Sequence, residues 1–453
     1  MNELRELARY VSRFNLEDAS PEVLRSAKFC VLDTIGSALG AVRFEELPAI
    51  SEELSCWISP ASIRSAAVWG HGKRFDAFSA LFFNAMLCHA LELDDVHAGS
   101  KSHIGAVVVP AAWTLADALH SSGESFLEAV IVGYEAMARV GSAMDVASNR
   151  RRGWHSTGLI GTFGAAAAAA RLLCLDEQRT LSAFGMAGTQ SSGLWAFLAE
   201  GATCKKLHTA RAAVNGLSAA VLANAGMTGP GRILDAPDGG LFPAVSDSFD
   251  MSVLSSDLGR SFQIQNIDKK PYPCCRSTHH AIDAALALRT AEGFAPDRID
   301  RIQVRTYDVA ILQCGSKKYP TNAVEAKFSI AYTCAAALAY GKVSFEEFED
   351  EALMNPVVRD MACRITIIGD AEFTARYPKR WGCEVRMVMM DGQTLVRRID
   401  DMSGSVNVPL SESQEKEKFV SLGSRAYNSK DRVRSLMQEI LAVDARGHLP
   451  DLS

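Results

Sequence analysis

A short, strongly charged stretch lies between two apolar segments in the first quarter of the chain. From Glu92 to His103, three carboxylates (Glu92, Asp94, Asp95) and two imidazoles (His97, His103) fall within twelve residues. Titratable groups gathered in a short loop are typical of functional sites, which need charged and proton-carrying groups close together. A capped turn with structural histidines is the alternative, and this stretch alone does not decide between the two.

Three further clusters place imidazoles or cationic groups near predicted helix starts. In chain order they are His155; Lys205 with His208; and Lys270 with Tyr272, Cys275 and Arg276. The free backbone N–H groups of a helix start attract anions, and ammonium groups add positive charge. Each cluster alone is weak evidence for a functional site, because a lone histidine is more often structural than catalytic. Together they are suited to binding a small polycarboxylate.

Such residues can remove a proton next to a carboxylate. That step builds negative charge on a group that is already anionic, and fixed ammonium groups offset it, most strongly where water is excluded. An imidazole with an ordinary pKa of ~6.5 takes up or releases a proton at neutral pH. The pattern therefore supports dehydration, decarboxylation or epimerisation of a di- or tricarboxylate, and leaves open which of these occurs.

Other function classes have less support. No G-x-x-x-x-G-K-[ST], H-E-x-x-H or G-x-S-x-G motif occurs, no G-x-G-x-x-G follows a strand, and the net charge of −6 disfavours a nucleic-acid binder. No apolar run approaches the ~18–20 residues of a membrane span. Scattered cysteines without C-x-x-C pairs suit a reducing cytoplasm, so we expect a cytoplasmic protein. Asp94, Asp95, His97 and His103 could hold a divalent metal ion, but we predict no metal and no cofactor.

The elements that position these clusters are predicted to be helical in the first half of the chain. Ser20-Pro21-Glu22 begins a helix, and its glycines at positions 36 and 40 permit close contact with a neighbouring helix. Further helices are predicted at residues 77–91, 107–119, 124–147, 164–175, 181–186 and 210–225, with a loop at 227–248 and no strand before residue 225.

The pattern changes after about residue 265. Strands are predicted at residues 301–306, 364–368, 384–390 and 393–398, with Asp391-Gly392 as a hairpin turn, and helices at 325–338, 345–353, 411–419 and 430–443. The predicted fold class is mainly α with an α+β lid. The predicted parts are a helical domain (1–266), an inserted α/β lid domain (267–403) and C-terminal helices (404–453) that complete the helical domain. A site would lie in the cleft between the two domains.

At these clusters the chain resembles the MmgE/PrpD family, which includes 2-methylcitrate dehydratase, cis-aconitate decarboxylase and iminodisuccinate epimerase. The similar segments are 84–95, 103–105, 110–112, 133–135, 153–158, 161–165, 205–208, 270–274 and 325–329. Each segment is short, but their order and spacing make the resemblance specific over nearly the whole length.

The resemblance implies a homodimer of two-domain chains and catalysis without a metal or organic cofactor. Carried over by position, the predicted catalytic residues are His103 and His155, which would handle protons, and Lys205 and Lys270, which would bind carboxylates. The predicted substrate-binding residues are Glu92, Asp95, Val96, His97, His208, Tyr272, Cys275 and Arg276.

Some positions depart from the family pattern. Val96 stands where members commonly have Thr or Ser, and cannot make the side-chain hydrogen bond of a hydroxyl. Lys206 replaces a frequent proline, and Cys275 occupies a position where some members have histidine.

We expect the protein to be a lyase, and dehydration of a 2-methylcitrate-like substrate is the reaction that we expect first. The alternatives are a cis-aconitate-type decarboxylase, an iminodisuccinate-type epimerase and a non-catalytic binder of an anionic metabolite.

Overall fold

A computed structural model describes residues 3–57 and 63–453. The described residues divide into two compact units. The first, here the helical unit, consists of the described residues up to Trp195 together with Cys204–Asp268 and Ser411–Ser453. The second, the mixed unit, consists of Ala196–Thr203 and Lys269–Leu410. The fold is mainly α-helical with a small α/β part, and this fold class was predicted correctly.

Helices account for most of the regular structure. In chain order the α-helices are α1 (Glu3–Arg13), α2 (Pro21–Ala41), α3 (Leu47–Trp57), α4 (Ala77–Ala90), α5 (Gly105–Leu119), α6 (Gly123–Ser142), α7 (Val146–Arg151), α8 (Ser156–Leu172), α9 (Glu177–Gly188), α10 (Phe197–Glu200), α11 (Lys206–Asn224), α12 (Leu241–Val245), α13 (His279–Arg289), α14 (Asp308–Cys314), α15 (Ala323–Lys327), α16 (Ile330–Tyr340), α17 (Asp350–Leu353), α18 (Pro356–Cys363), α19 (Ala371–Arg376), α20 (Glu412–Ala426) and α21 (Lys430–Leu441). Within the described part of the chain, no helix combines the length and apolar character needed to cross a membrane.

The centre of the helical unit is α8, which packs against α6 and α11. Small residues let these helices approach closely. A Cβ atom added at Gly164 would lie 2.8 Å from the Cβ of Met137 on α6, and one at Gly161 would lie 2.9 Å from the Cβ of Ala212 on α11. Because α8 and α11 are in close contact, residues at the beginning of each helix can share one site.

The two chain ends meet in the helical unit, where α20 packs against α2. Atoms of Phe419 and Leu422 lie 3.1 Å and 2.7 Å from the positions that Cβ atoms would take at Gly36 and Gly40. The predicted close contact at these two glycines is therefore confirmed. The predicted helix start at Ser20 is also confirmed, because its side chain accepts a hydrogen bond from the backbone N–H of Val23.

The prediction that no strand precedes residue 225 is wrong. Strands β1 (Ser65–Val68) and β2 (Lys73–Asp76) form an antiparallel pair, and β3 (Val96–His97) pairs with β4 (Ile267–Asp268). The sequence hides β1 because three of its four residues are buried in succession. A strand without alternation between buried and exposed residues lacks the period-two signal.

Several predicted helices and one predicted loop have different bounds. The helix predicted at 325–338 is two helices, α15 and α16, because Ser329 caps the second of them by accepting from the N–H of Tyr332. Likewise α6 ends at Ser142, and Asp145 caps a new helix, α7. The segment predicted as helix at 345–353 contains a 3₁₀ turn and the short α17, and the predicted loop at 227–248 contains α12.

The mixed unit contains a four-stranded sheet made of β5 (Ile299–Thr306), β6 (Ile365–Gly369), β7 (Cys383–Met389) and β8 (Thr394–Ile399). Its strand order is β6-β5-β7-β8, with β5 and β6 parallel and the other pairs antiparallel. All four strands were predicted, as was the turn at Asp391-Gly392 between β7 and β8. Gly392 has a φ of +86°, which favours glycine there.

Candidate active site

The charged loop between α4 and α5 lies against the starts of α8 and α11 in the helical unit. At the loop's N-terminal side, Glu92 has a φ of +57° and forms a buried ion pair with Lys205 at the start of α11. Both residues are only 6% exposed. The pair is thus an ammonium and a carboxylate held away from water, where electrostatic interactions are stronger than at the surface.

Three imidazoles come together beside this ion pair. The ring centres of His89 and His103 are 4.6 Å apart, those of His89 and His155 are 6.0 Å apart, and those of His103 and His155 are 6.4 Å apart. These residues come from α4, from the charged loop and from the residue that precedes α8. A fourth imidazole, His208 on α11, has its Nδ1 atom 2.9 Å from Nδ1 of His155. We call these four residues the histidine cluster.

Burial keeps part of the histidine cluster uncharged. Burial, followed by the positive charge of Lys205, lowers the pKa of His155 well below its ordinary value. The same two causes, in the same order, lower the pKa of His208 to about 4. Both rings are therefore neutral at pH 7, and a neutral imidazole can accept a proton.

The carboxylate of Asp94 orients two rings of the cluster. It has no exposed surface, and its Oδ2 atom lies 2.7 Å from Nδ1 of His89 and 3.1 Å from Nδ1 of His103. A carboxylate accepts hydrogen bonds, so these Nδ1 atoms are the protonated ones. In the neutral form of either ring, Nε2 then carries the lone pair.

The neighbouring Asp95 fixes the loop to the helices behind it. Its Oδ2 atom accepts from the hydroxyl of Tyr134 at 2.6 Å, and its Oδ1 atom accepts from the N–H of Gly105 at 2.9 Å. Burial raises the pKa of Asp95 to about 7, against the opposing effect of the Tyr134 hydrogen bond. A Cβ atom at Gly105 would lie 2.8 Å from Asp95 Oδ2. Asp95 therefore binds the start of α5 and the middle of α6.

Val96 and His97 form β3 within the loop. Val96 is buried and pairs with Asp268 of β4. Nδ1 of His97 lies 2.9 Å from the hydroxyl of Ser100, and burial lowers the pKa of His97 to about 4. The His97 side chain also hydrogen-bonds with Gln263, outside the loop. It is not one of the histidines whose rings meet beside Lys205.

Four predicted site residues belong to the mixed unit. Lys270 is completely buried, and the N–H of Cys275 donates to the carbonyl of Lys327 at 2.9 Å. The Tyr272 hydroxyl donates to Asp283 Oδ1 at 2.7 Å, and Arg276 donates to the carbonyl of Ser403 at 2.8 Å.

Arg276 and Tyr272 lie against a further imidazole, His279. Its Nδ1 atom lies 3.0 Å from Nη1 of Arg276, and its ring centre lies 5.1 Å from that of Tyr272. Burial, then the charges of Arg276 and Lys270, lower the pKa of His279 well below its ordinary value. The mixed unit therefore places two cations near a neutral imidazole.

The structure adds His89 to the residues predicted as a site, and it places Asp94, predicted only as part of the charged stretch and as a possible metal ligand, against two of the rings. His89 was assigned to an apolar helix, and its only sequence signal is the spacing of three residues to Glu92 at the helix end. Arg150 and Trp195 were also missed. The Arg150 guanidinium lies 4.2 Å from the centre of the Trp195 ring, whose centre is 5.4 Å from that of His155.

One group of possible metal ligands comes together among the described residues. It consists of His89, His103 and His155, whose ligand atoms all lie within 4.8 Å of one another. Of the four residues that the sequence offered as possible ligands, His103 is in this group, and Asp94, Asp95 and His97 are not. The rings of these three histidines also contact Asp94, Asp95 and His208.

Comparison with known proteins covers both units. Residues 5–254 match the MmgE/PrpD N-terminal domain, and residues 272–442 match the MmgE/PrpD C-terminal domain. The chain is 30% identical to a cis-aconitate decarboxylase-like protein of Aspergillus oryzae, with 99% of this chain and 95% of that protein covered. It is 29% identical to the cis-aconitate decarboxylase of Homo sapiens, covering 92% and 86% of the two chains. Identity to the 2-methylcitrate dehydratase of Escherichia coli is 24%, covering 83% and 79%.

Proposed function

The chain belongs to the MmgE/PrpD family, and from this premise we propose that it is a lyase that acts on a small di- or tricarboxylate. The reaction moves a proton at a carbon next to a carboxylate. The observation that carries the proposal is the histidine cluster, in which neutral imidazoles meet beside the buried ammonium group of Lys205.

The proposed proton carriers are His103 and His155. Asp94 holds the proton of His103 on Nδ1, so its Nε2 atom is the basic one. His155 is neutral because it is buried and close to a positive charge. The Lys205 ammonium stabilises negative charge that develops on the substrate carboxylate, and Glu92 fixes the position of that ammonium.

The mixed unit supplies a second set of cations. Lys270 and Arg276 are both buried, at 0% and 2% exposure. We propose that these two cations bind carboxylate groups, as expected for residues that take an anion out of water. The assignment of Tyr272 and Cys275 to substrate binding is part of the same proposal, as are a homodimeric assembly and a reaction without cofactor.

Two reactions fit these groups. In decarboxylation, the bond to one carboxylate breaks, CO₂ leaves, and the electron pair is taken up as a carbon accepts a proton. In dehydration, a base removes a proton next to a carboxylate, the electron pair forms a double bond, and hydroxide leaves as water after protonation. The family resemblance leads to dehydration of a 2-methylcitrate-like substrate as the expectation from sequence. The greater identity and coverage of the decarboxylase relatives support decarboxylation of a cis-aconitate-like substrate as the first candidate.

The test uses the full chain, purified and treated with a chelator. Cis-aconitate, 2-methylcitrate and a pool of other small polycarboxylates are incubated with it in heavy water, and products are followed by NMR and mass spectrometry. We expect either CO₂ release with one deuterium on carbon, or loss of water. Deuterium exchange without either loss would support the epimerase alternative. Ligand-dependent melting with no turnover and no deuterium uptake would contradict the proposed lyase.

A further inference from the structure

We propose that His89, His103 and His155 form a binding site for one divalent transition-metal ion, with Zn²⁺ as the ion that fits best. This inference goes beyond the proposed lyase reaction, because binding of the ion does not depend on turnover. Its basis is that three imidazoles from three different elements place one ring nitrogen each within 4.8 Å of the others. Three histidines around an open fourth position are a ligand set that zinc takes.

The spacing of the rings fits one shared ion. With Zn–N bonds of about 2.0–2.1 Å in a tetrahedral arrangement, the centres of three coordinating imidazoles lie roughly 5 Å apart. The observed separations are 4.6, 6.0 and 6.4 Å. The ring of His155 therefore has to move about an ångström closer to the other two rings when the ion binds. Small changes in its side-chain torsion angles can provide that movement.

The outer nitrogen of each ring already has a hydrogen-bond partner. Asp94 Oδ2 lies 2.7 Å from Nδ1 of His89 and 3.1 Å from Nδ1 of His103, and His208 Nδ1 lies 2.9 Å from Nδ1 of His155. These contacts leave Nε2 of each ring as the ligand atom. Metal-binding histidines generally donate their other N–H to a carboxylate, a carbonyl or another acceptor, which fixes the tautomer.

His89 provides an independent observation. Its side chain has no exposed surface, and among the described residues its Nε2 atom has no hydrogen-bond partner. Oε1 of Glu92 lies 3.9 Å from this atom, beyond hydrogen-bond distance. A buried polar atom without a partner costs free energy, and a metal ion bound to Nε2 would remove that cost.

The charges around the cluster favour a cation. Two carboxylates, Asp94 and Glu92, lie beside the imidazole rings, and the ammonium group of Lys205 acts on His155. Lys205 is also paired with Glu92, so part of its positive charge is offset. An ion bound here would occupy the lone pairs of His103 and His155. If the proposed function is correct, the ion would therefore inhibit the enzyme.

The test measures metal binding to the full chain without substrate. Chelator-treated protein is titrated with Co²⁺ and followed by its visible absorption, and Zn²⁺ stoichiometry is measured by equilibrium dialysis. We expect one ion per chain with the absorption of a four-coordinate site. His89→Gln should abolish this binding, and Asp94→Asn should weaken it roughly 10–100-fold. His448→Ala, at an exposed histidine, should bind like the wild type.

Zinc-edge X-ray absorption on the wild-type protein provides a check that needs no variant to fold. We expect three imidazole nitrogens at about 2.0–2.1 Å. Sulfur ligands, which would indicate an exposed cysteine, would overturn the proposal, as would the absence of stoichiometric binding. Unchanged binding by a folded His89→Gln protein would do the same. None of these measurements uses turnover, so a protein without lyase activity can still satisfy them.

Discussion

Nδ1 of His103 lies 3.1 Å from Oδ2 of Asp94, a carboxylate with no exposed surface. The same nitrogen lies 3.0 Å from the backbone carbonyl oxygen of Asp95. Both neighbours are acceptors, so Nδ1 carries the proton and Nε2 carries the lone pair. We therefore expect Asp94 to act by orienting His103, so that Nε2 is the atom available for the proposed proton transfer.

The first prediction concerns this positioning role. Asp94→Asn removes the charge that fixes the tautomer of His103. The amide NH₂ of the new side chain can instead donate a hydrogen bond to a His103 ring that has flipped or changed its tautomer. We expect kcat to fall by roughly 10²–10⁴-fold, the range typical of one general acid or base, with a smaller change in KM. Steady-state kinetics on the best polycarboxylate substrate measures both. Asp300→Asn, an exposed carboxylate on β5, is the control and should retain wild-type kinetics. A loss confined to KM would contradict the role.

The second prediction separates His155 from the other histidines. His155→Gln keeps a polar side chain of similar reach at the start of α8 but removes the basic nitrogen. We expect turnover to fall by roughly 10²–10⁴-fold while the urea midpoint stays near that of the wild type. His448→Gln is the matched control at an exposed site. A folded His155→Gln protein with wild-type turnover would refute the proton-carrying role.

The third prediction concerns the buried ion pair of Glu92 and Lys205. Glu92→Gln leaves the ammonium without its carboxylate, and Lys205→Met leaves the carboxylate without its ammonium. Removing one partner of a buried pair costs about 3–5 kcal/mol, because the remaining charge is uncompensated. We expect each single variant to lose stability in urea unfolding, and the double variant to lose less than the sum of the two. Additive losses would mean that the two groups do not interact.

The sequence could predict which residue types belong to the site but not all of their partners. His103, His155 and Lys205 could be selected because imidazole and ammonium groups stand at loop ends and helix starts. Their convergence depends on the close packing of α8 and α11 at Gly161 and Ala212, which no local pattern reports. His89 was missed because an apolar helix surrounds it, although its ring faces His103.

The same reasoning applies to the fold. The helices and the four strands of the mixed unit have periods that local sequence shows directly. The first hairpin does not, since β1 and β2 have four residues each and β1 has no alternation. The segment Ala196–Thr203 belongs to the mixed unit although it is far from the rest of that unit in sequence. Such membership depends on long-range packing, which composition does not report.

The last prediction concerns the pH dependence of stability at Asp95. Burial raises its pKa in the folded chain to about 7, whereas an unfolded aspartate has a pKa of about 3.9. Between these values the folded state binds more protons than the unfolded state, so the contribution of Asp95 to stability falls as pH rises. The slope is at most about 1.4 kcal/mol per pH unit, and it ends above pH ~7, where both states have lost the proton.

Asp95→Asn removes this titration, and an amide can still accept from Gly105 and contact Tyr134. We expect the free energy of unfolding of the wild type, minus that of Asp95→Asn, to decrease from pH ~4 to pH ~7 and then stay constant. Urea unfolding of both proteins at a series of pH values measures it, and because other carboxyl groups titrate in both proteins, their effects cancel in the difference. A difference that does not change with pH would show that Asp95 is ionised in the folded chain throughout this range.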